Sequence, residues 1–195
     1  MRVIYVMEQK PKIIGIIKTI LREQNDSKNI FLYGGVDFSP DIKDYITENN
    51  ILIFKFQSPD NINYINNQNN NIDLLVLGDL RRFDYNYNKS KIETERLGNI
   101  KSILLNIENS GEITGYDKSE QIITCGLKEK DTFIFSSINI DEGSVILDLQ
   151  RSMKDIDGEI LEPFEKQIII PEEIREESSE DLILSLTVLC YCGRI

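Results

Sequence analysis

The chain has 195 residues, with 33 acidic and 22 basic side chains, a net charge of −11 and no histidine. This length is enough for one ordinary domain with a substantial core. The acidic balance argues against a nucleic-acid partner, because neutralising a phosphate backbone needs clustered Lys and Arg. Mechanisms that use imidazole as a base or metal ligand are excluded within this chain.

The composition also bears on location and on the cysteines. No apolar run approaches the ~20 residues that span a bilayer, and the N-terminal apolar run is too short for a signal peptide. We therefore expect a cytoplasmic protein with no membrane partner.

Cys125, Cys190 and Cys192 are predicted to be buried and reduced, and a zinc site would need more ligands than they supply.

The first strand and helix form the kind of junction at which many α/β proteins place a phosphate-binding loop. Residues 2–6 (RVIYV) predict a buried strand, and residues 11–24 (PKIIGIIKTILREQ) predict an amphipathic helix. A nucleotide loop here uses glycines, a lysine and a Ser or Thr. Of that set only Lys12 is present, whereas Glu8 adds a negative charge and Pro11 lacks an N–H donor.

The next part of the chain alternates between predicted strands and helices. The strands are residues 29–33, 51–56, 72–77 and 101–106, and the helices are residues 42–49 and 88–97. The asparagine-rich residues 58–71 predict an exposed loop. This alternation is typical of βαβ crossovers and a largely parallel sheet, with ligands expected at the carboxyl ends of the strands.

After Asn109 the pattern changes to strands separated by short turns. The predicted strands are residues 121–125, 131–140, 144–149 and 167–170, and residues 180–192 predict an apolar closing helix. The acidic run at residues 172–180 suits the positive end of that helix. The predicted fold class is therefore α/β, with a mostly parallel sheet flanked by helices and an antiparallel β subsheet in the C-terminal half. We expect one domain spanning residues 1–195.

This order of elements resembles the central, ATP-binding domain of the Mur ligases, which add amino acids to peptidoglycan precursors, and of the related folylpolyglutamate and cyanophycin-type ligases. Residues 104–140 (LLNIENSGEITGYDKSEQIITCGLKEKDTFIFSSINI) are similar to the family's VVNADD, VITYGL and ADVRASDI strands. Residues 178–193 (SSEDLILSLTVLCYCG) resemble its NVYNALAAIAVALELG helix. The resemblance implies a P-loop-like central domain over nearly the whole chain, without the family's N-terminal UDP-binding or C-terminal ligase domain.

Carried across this resemblance, most of the family's working groups are replaced. The GTNGKTT loop falls on residues 8–14 and keeps its lysine as Lys12. The glutamate that helps to hold magnesium falls on Lys55, and the metal-binding histidine falls on Arg82. The remaining positions are Thr94 near the carbamylated lysine, Arg96 at the arginine of the same helix, and Ser178 and Asp181 at the asparagines on the adenine side.

The resemblance thus points to a vestigial nucleotide or anion cleft. No catalytic residue and no metal ligand is predicted. The candidate ligand-binding residues are Lys12, Lys55, Arg81 and Arg82. The competing interpretation is that Lys55 and Arg82 pair with acidic neighbours, namely Glu8, Asp79 or Asp84, and neutralise an abandoned cleft.

Three functions follow from this interpretation. The leading hypothesis is a non-catalytic Mur-ligase-like module with a binding or assembly role in a bacterial cell-wall or amide-ligase system, with a protein partner and no cofactor. The alternative is an ATP-dependent amide ligase, or half of a split ligase completed by a partner chain, which would need ATP and magnesium. The third is a small-anion or nucleotide sensor that uses the basic cluster.

Overall fold

The computed structural model describes residues 2–8, 12–24, 29–33, 50–56, 71–78, 91–93, 99–106, 112–114, 119–139 and 141–195. The helices are α1 (Lys12–Glu23) and α2 (Ser179–Tyr191), preceded by a 3₁₀ turn at Glu172–Ile174. The strands are β1 (Arg2–Met7), β2 (Ile30–Tyr33), β3 (Ile51–Phe56), β4 (Ile72–Leu77), β5 (Lys91–Glu93), β6 (Ile100–Leu105), β7 (Glu112–Thr114), β8 (Gln121–Gly126), β9 (Phe133–Asn139), β10 (Ser144–Leu149), β11 (Met153–Lys154), β12 (Ile160–Leu161) and β13 (Phe164–Ile169).

Over these ranges the main sheet has nine strands in the order β13-β10-β9-β8-β6-β4-β1-β3-β2. Neighbouring strands are parallel from β2 at one edge, through β3, β1, β4, β6 and β8, to β9. The remaining pairs, β9 with β10 and β10 with β13, are antiparallel. A second, antiparallel pair is formed by β11 and β12, and a third, parallel pair by β5 and β7. The predicted α/β class, mostly parallel with an antiparallel part in the C-terminal half, is confirmed.

Some local predictions are wrong. The strand at residues 121–125 was expected in the antiparallel part, but β8 runs parallel to both of its neighbours. Its contact with β9 is limited to two residue pairs, because residues 127–132 are too short for a full crossover. The helix predicted at residues 88–97 is wrong at residues 91–93, which form β5 and pair with β7, since strand pairing overrides weak local helix preference.

Other sequence predictions lie partly or wholly outside the described residues. These are the helix at residues 42–49, the rest of the helix at residues 88–97 and, apart from Asn71, the asparagine-rich loop. The last predicted strand begins earlier than expected, at Phe164, because its pairing with β10 extends to Leu149.

The central parallel strands β1, β4 and β6 are buried on both faces, as is usual for a parallel sheet. Alternate residues of β1 divide between the two apolar clusters. Ile4 and Val6 join the cluster that contains α1 and α2, whereas Tyr5 and Met7 join the cluster on the other face. The continuous apolar run of β1 therefore reflects two buried faces and not one.

Helix α2 explains why the end of the chain is so apolar. Every side chain from Leu182 to Tyr191 is buried, which is the pattern of a helix enclosed by the core. The helix is capped by Ser178, whose hydroxyl accepts from the Asp181 N–H at 3.2 Å and donates to the Asp181 carboxylate at 2.7 Å. The predicted closing helix is confirmed, and neither described helix is long and apolar enough to cross a membrane.

The cysteines behave as the sequence predicts. Cys125, Cys190 and Cys192 are buried and unpaired with one another. Burial raises the pKa of Cys190 to about 11 and that of Cys192 to about 12. The thiols therefore act as small apolar side chains at neutral pH.

Truncation of α2 should show how much the fold depends on this helix. Leu186 is fully buried, so Leu186→Ala should lower the free energy of unfolding by about 2–5 kcal/mol through lost burial and a residual cavity. Urea denaturation followed by circular dichroism measures this change. Leu127, which is 63% exposed, provides the matched control, and an equal loss in Leu127→Ala would contradict the assignment of α2 to the core.

Candidate functional site

The strand order places a topological switch point at the carboxyl end of β1. The sheet order reverses there, because β1 lies between β3 and β4. Ligands of open α/β sheets bind at such a point. Around it lie Glu8 at the end of β1, Lys12 at the start of α1, Lys55 in β3 and Gly78 just after β4. We call this region the β1–α1 junction.

A buried carboxylate occupies the start of α1. Glu8 is only 4% exposed, and its carboxylate accepts a hydrogen bond from the Ile13 N–H at 2.8 Å and a weaker one from the Ile14 N–H at 3.5 Å. Helix α1 has no acidic residue of its own in the first turn. In a phosphate-binding loop, N–H groups in this position hold the anion. Here the chain's own carboxylate takes that position.

The protonation of Glu8 is set by opposing effects. Burial raises its pKa to about 7, while the hydrogen bonds from Ile13 and Ile14 and the positive charge of Lys55 act to lower it. The negative charge of Asp181 acts to raise it further. The protonated form of Glu8 is therefore populated at a higher pH than that of an ordinary glutamate.

Lys12, the lysine retained at this junction, lies in an ion pair between the two helices. Its Nζ is 3.0 Å from Glu177 Oε2 and 3.6 Å from Asp181 Oδ2. The hydrogen bond to Glu177 is the main cause that raises the pKa of Lys12, so the ammonium stays charged. Because the Lys12 side chain is about one-third exposed, the pair adds only modest stability. Its main consequence is to direct the lysine toward the start of α2.

Lys55 lies near the Glu8 carboxylate, which also accepts hydrogen bonds from the start of α1. It pairs in register with Val6 of β1 and is only 5% exposed. Its positive charge acts to lower the pKa of Glu8, and an ion pair between these two residues stays a prediction. Lys12 and Lys55 are thus both found at the junction, while the candidates Arg81 and Arg82 lie outside the described residues, as do Asp79 and Asp84. Anion binding by this group stays a prediction.

Two contributions were not foreseen from the sequence. The sequence marks Glu8 as an unfavourable charge, but not as the side chain that caps α1. Glu177 was assigned only to the acidic run that suits the positive end of α2, yet its carboxylate is 3.0 Å from Lys12 Nζ. The available signal was its position directly before the capping sequence that begins at Ser178.

Gly78 allows the elements of the junction to approach closely. A Cβ at this position would lie 3.1 Å from the Met7 carbonyl oxygen and 3.2 Å from Ile13 Cδ1. The Gly78 N–H also donates to that carbonyl at 3.0 Å. This glycine therefore serves the packing of β4 against β1 and α1.

Comparison with known proteins adds no family. No known protein-family model matches this chain, and no curated protein is significantly similar to it. The resemblance to the Mur ligases thus remains a hypothesis drawn from the sequence. Within the described ranges, no group of three or more Asp, Glu or Cys side chains is arranged to hold a metal ion.

The raised pKa of Glu8 predicts a specific pH dependence of stability. Its pKa is about 7 when folded, against an ordinary value of 4.5, so the folded state holds the proton more tightly. Stability contributed by this proton is present below about pH 4.5 and is lost as the pH rises toward about 7. Over this interval the wild type should lose up to about 3 kcal/mol relative to Glu8→Gln.

Urea denaturation at a series of pH values measures this difference. Glu129→Gln, which removes one exposed carboxylate, is the matched control for the change in net charge. A difference between wild type and Glu8→Gln that stays constant across the series would show that Glu8 does not titrate in this way.

Proposed function

We propose that this protein is a non-catalytic, Mur-ligase-like binding or assembly module whose β1–α1 junction does not hold a nucleotide. The observation that carries this proposal is the 2.8 Å hydrogen bond from the Ile13 N–H to the Glu8 carboxylate. A phosphate group would compete with this carboxylate for the same donors. It would also face repulsion from the ionised form of Glu8.

The charge balance around the junction supports the same proposal. The two lysines, Lys12 and Lys55, lie among the three carboxylates of Glu8, Glu177 and Asp181. An ATP-dependent ligase instead needs an excess of positive charge, from magnesium and from Lys or Arg, to stabilise the triphosphate and the acyl phosphate that forms from it. Each of these two lysines already has a nearby carboxylate to neutralise.

The proposed partner is another protein of a bacterial cell-wall or amide-ligase system, and the proposed location is the cytoplasm. The support for this pathway is the resemblance of residues 104–140 and 178–193 to Mur ligase elements. No cofactor is part of the proposal.

Titration calorimetry with ATP, with and without magnesium, tests the non-catalytic role. We expect no magnesium-dependent binding in the micromolar range, which corresponds to about −8 kcal/mol, because Glu8 already occupies the anion position. Micromolar binding that depends on magnesium would overturn the proposal. ATP-dependent acyl phosphate formation that is lost in Lys12→Ala would instead establish a ligase or split ligase.

Removal of the Glu8 carboxylate should create the anion site that the wild type lacks. In Glu8→Ala the N–H groups of Ile13 and Ile14 lose their partner, while Lys12 and Lys55 remain. Inorganic phosphate should therefore raise the melting temperature of Glu8→Ala but not that of the wild type. Glu8→Gln is the matched control, since its side chain still fills the position. Equal phosphate stabilisation of all three proteins would show that Glu8 does not block the site.

A further inference from the structure

A cavity of about 430 Å³ lies at the opposite, amino-terminal edge of the parallel strands. It is bounded by the first residues of β1, β6 and β8, by the β11–β12 hairpin and by the end of α2. Its volume falls in the range of about 300–1,000 Å³ that is typical of small-molecule pockets. We call it the amino-edge cavity.

A connected polar network forms one wall of the amino-edge cavity. The Tyr191 hydroxyl donates to the Asp73 carbonyl at 3.0 Å and lies 3.1 Å from Ser102 Oγ. Gln121 Nε2 donates to Ser102 Oγ at 3.0 Å and to the Lys154 carbonyl at 2.7 Å. These bonds join α2, β6, β8 and the hairpin, so the wall is held in place before any ligand arrives.

Two cations at this cavity retain hydrogen-bonding capacity. Lys101 Nζ is 2.6 Å from Asp73 Oδ1, and an Arg2 nitrogen is 2.9 Å from Asp157 Oδ1. The Lys101 and Arg2 side chains are 38% and 34% exposed. A lysine has three N–H donors and an arginine has five, which is more than these contacts use. Asp157, at 67% exposure, has a second oxygen that can accept.

The charges around the cavity are balanced. The lining contains three cations and three anions: Arg2, Lys101 and Lys154, and Glu120, Asp155 and Asp157. A ligand with net charge would be attracted by one set and repelled by the other. A hydroxyl group can accept from an ammonium or guanidinium and donate to a carboxylate at the same time, so neighbouring hydroxyls suit adjacent cation and anion pairs.

An apolar surface completes the lining. Met153 and Ile160 contribute to the cavity, and Ile160 is 64% exposed. The C–H face of a sugar or cyclic polyol can pack against such a surface while its hydroxyls contact the charged groups. We propose that the amino-edge cavity binds a small neutral polyol or monosaccharide through Lys101 and the Arg2–Asp157 pair. This site is independent of the β1–α1 junction, which lies at the other edge of the sheet.

Saturation-transfer NMR with D-glucose, D-ribose and myo-inositol tests the proposal on the full chain. At least one of them should bind saturably, with a Kd on the order of 1 mM or tighter. Ile160→Trp, which would crowd the cavity from an exposed position, should weaken binding roughly tenfold or more. Ile169→Trp alters an isoleucine that is 68% exposed on β13 and does not line the cavity, and it should bind as the wild type does.

Asp157→Asn supplies a second test that preserves side-chain shape. It removes the carboxylate that pairs with Arg2 and should also weaken sugar binding. The proposal is overturned if none of the three compounds binds saturably or if Ile160→Trp binds them unchanged. It is also overturned if inorganic phosphate or glycine, as a zwitterion, binds more tightly than all three.

Discussion

The buried start of α1 must have its N–H groups satisfied, and the Glu8 carboxylate does this from the end of the preceding strand. Burial of this carboxylate is itself unfavourable, because desolvation disfavours its charged form. Lys55, buried in the neighbouring strand, supplies a nearby positive charge. Lys12 is meanwhile held at the start of α2 by Glu177 and Asp181. The arrangement of charges at the junction thus follows from one capping interaction.

Proteins with the same local arrangement of strand and helix can differ in the chemistry that this arrangement supports. The strand, turn and helix of a phosphate-binding loop require only that an anion meet the first turn of the helix. In this chain the Glu8 carboxylate meets the first turn of α1, although burial raises its pKa to about 7 and so disfavours its charged form. The Glu8 carboxylate therefore occupies two N–H donors that a phosphate would need, which is the physical basis for proposing a non-catalytic module.

The two edges of the sheet also differ in how their polar groups are used. At the carboxyl edge, Glu8 turns inward and caps the helix. At the amino edge, Asp73 is buried in a comparable way, since it accepts from the Val3 N–H at 2.8 Å and from Lys101. There, however, the β11–β12 hairpin, which is hydrogen-bonded to Gln121 of β8, borders a cavity together with the strand ends. Both edges bury a carboxylate, and at the amino edge Asp73 lies beside two partly exposed cations, Arg2 and Lys101, that line a cavity.

Hydrophobic periodicity in the sequence by itself determined the α/β class, the main parallel strands, both described helices and the burial of the cysteines, since apolar patterning reports directly on burial. The grouping of Lys12 and Lys55 at one junction was expected from the resemblance to the Mur ligases and not from periodicity. Three further features were decided by the tertiary structure: the parallel pairing of β8 with β9, the pairing of β5 with β7 and the ion pair of Lys12 with Glu177. They join residues distant in the chain or depend on how a short loop turns, and local sequence carries no record of which partner is brought near.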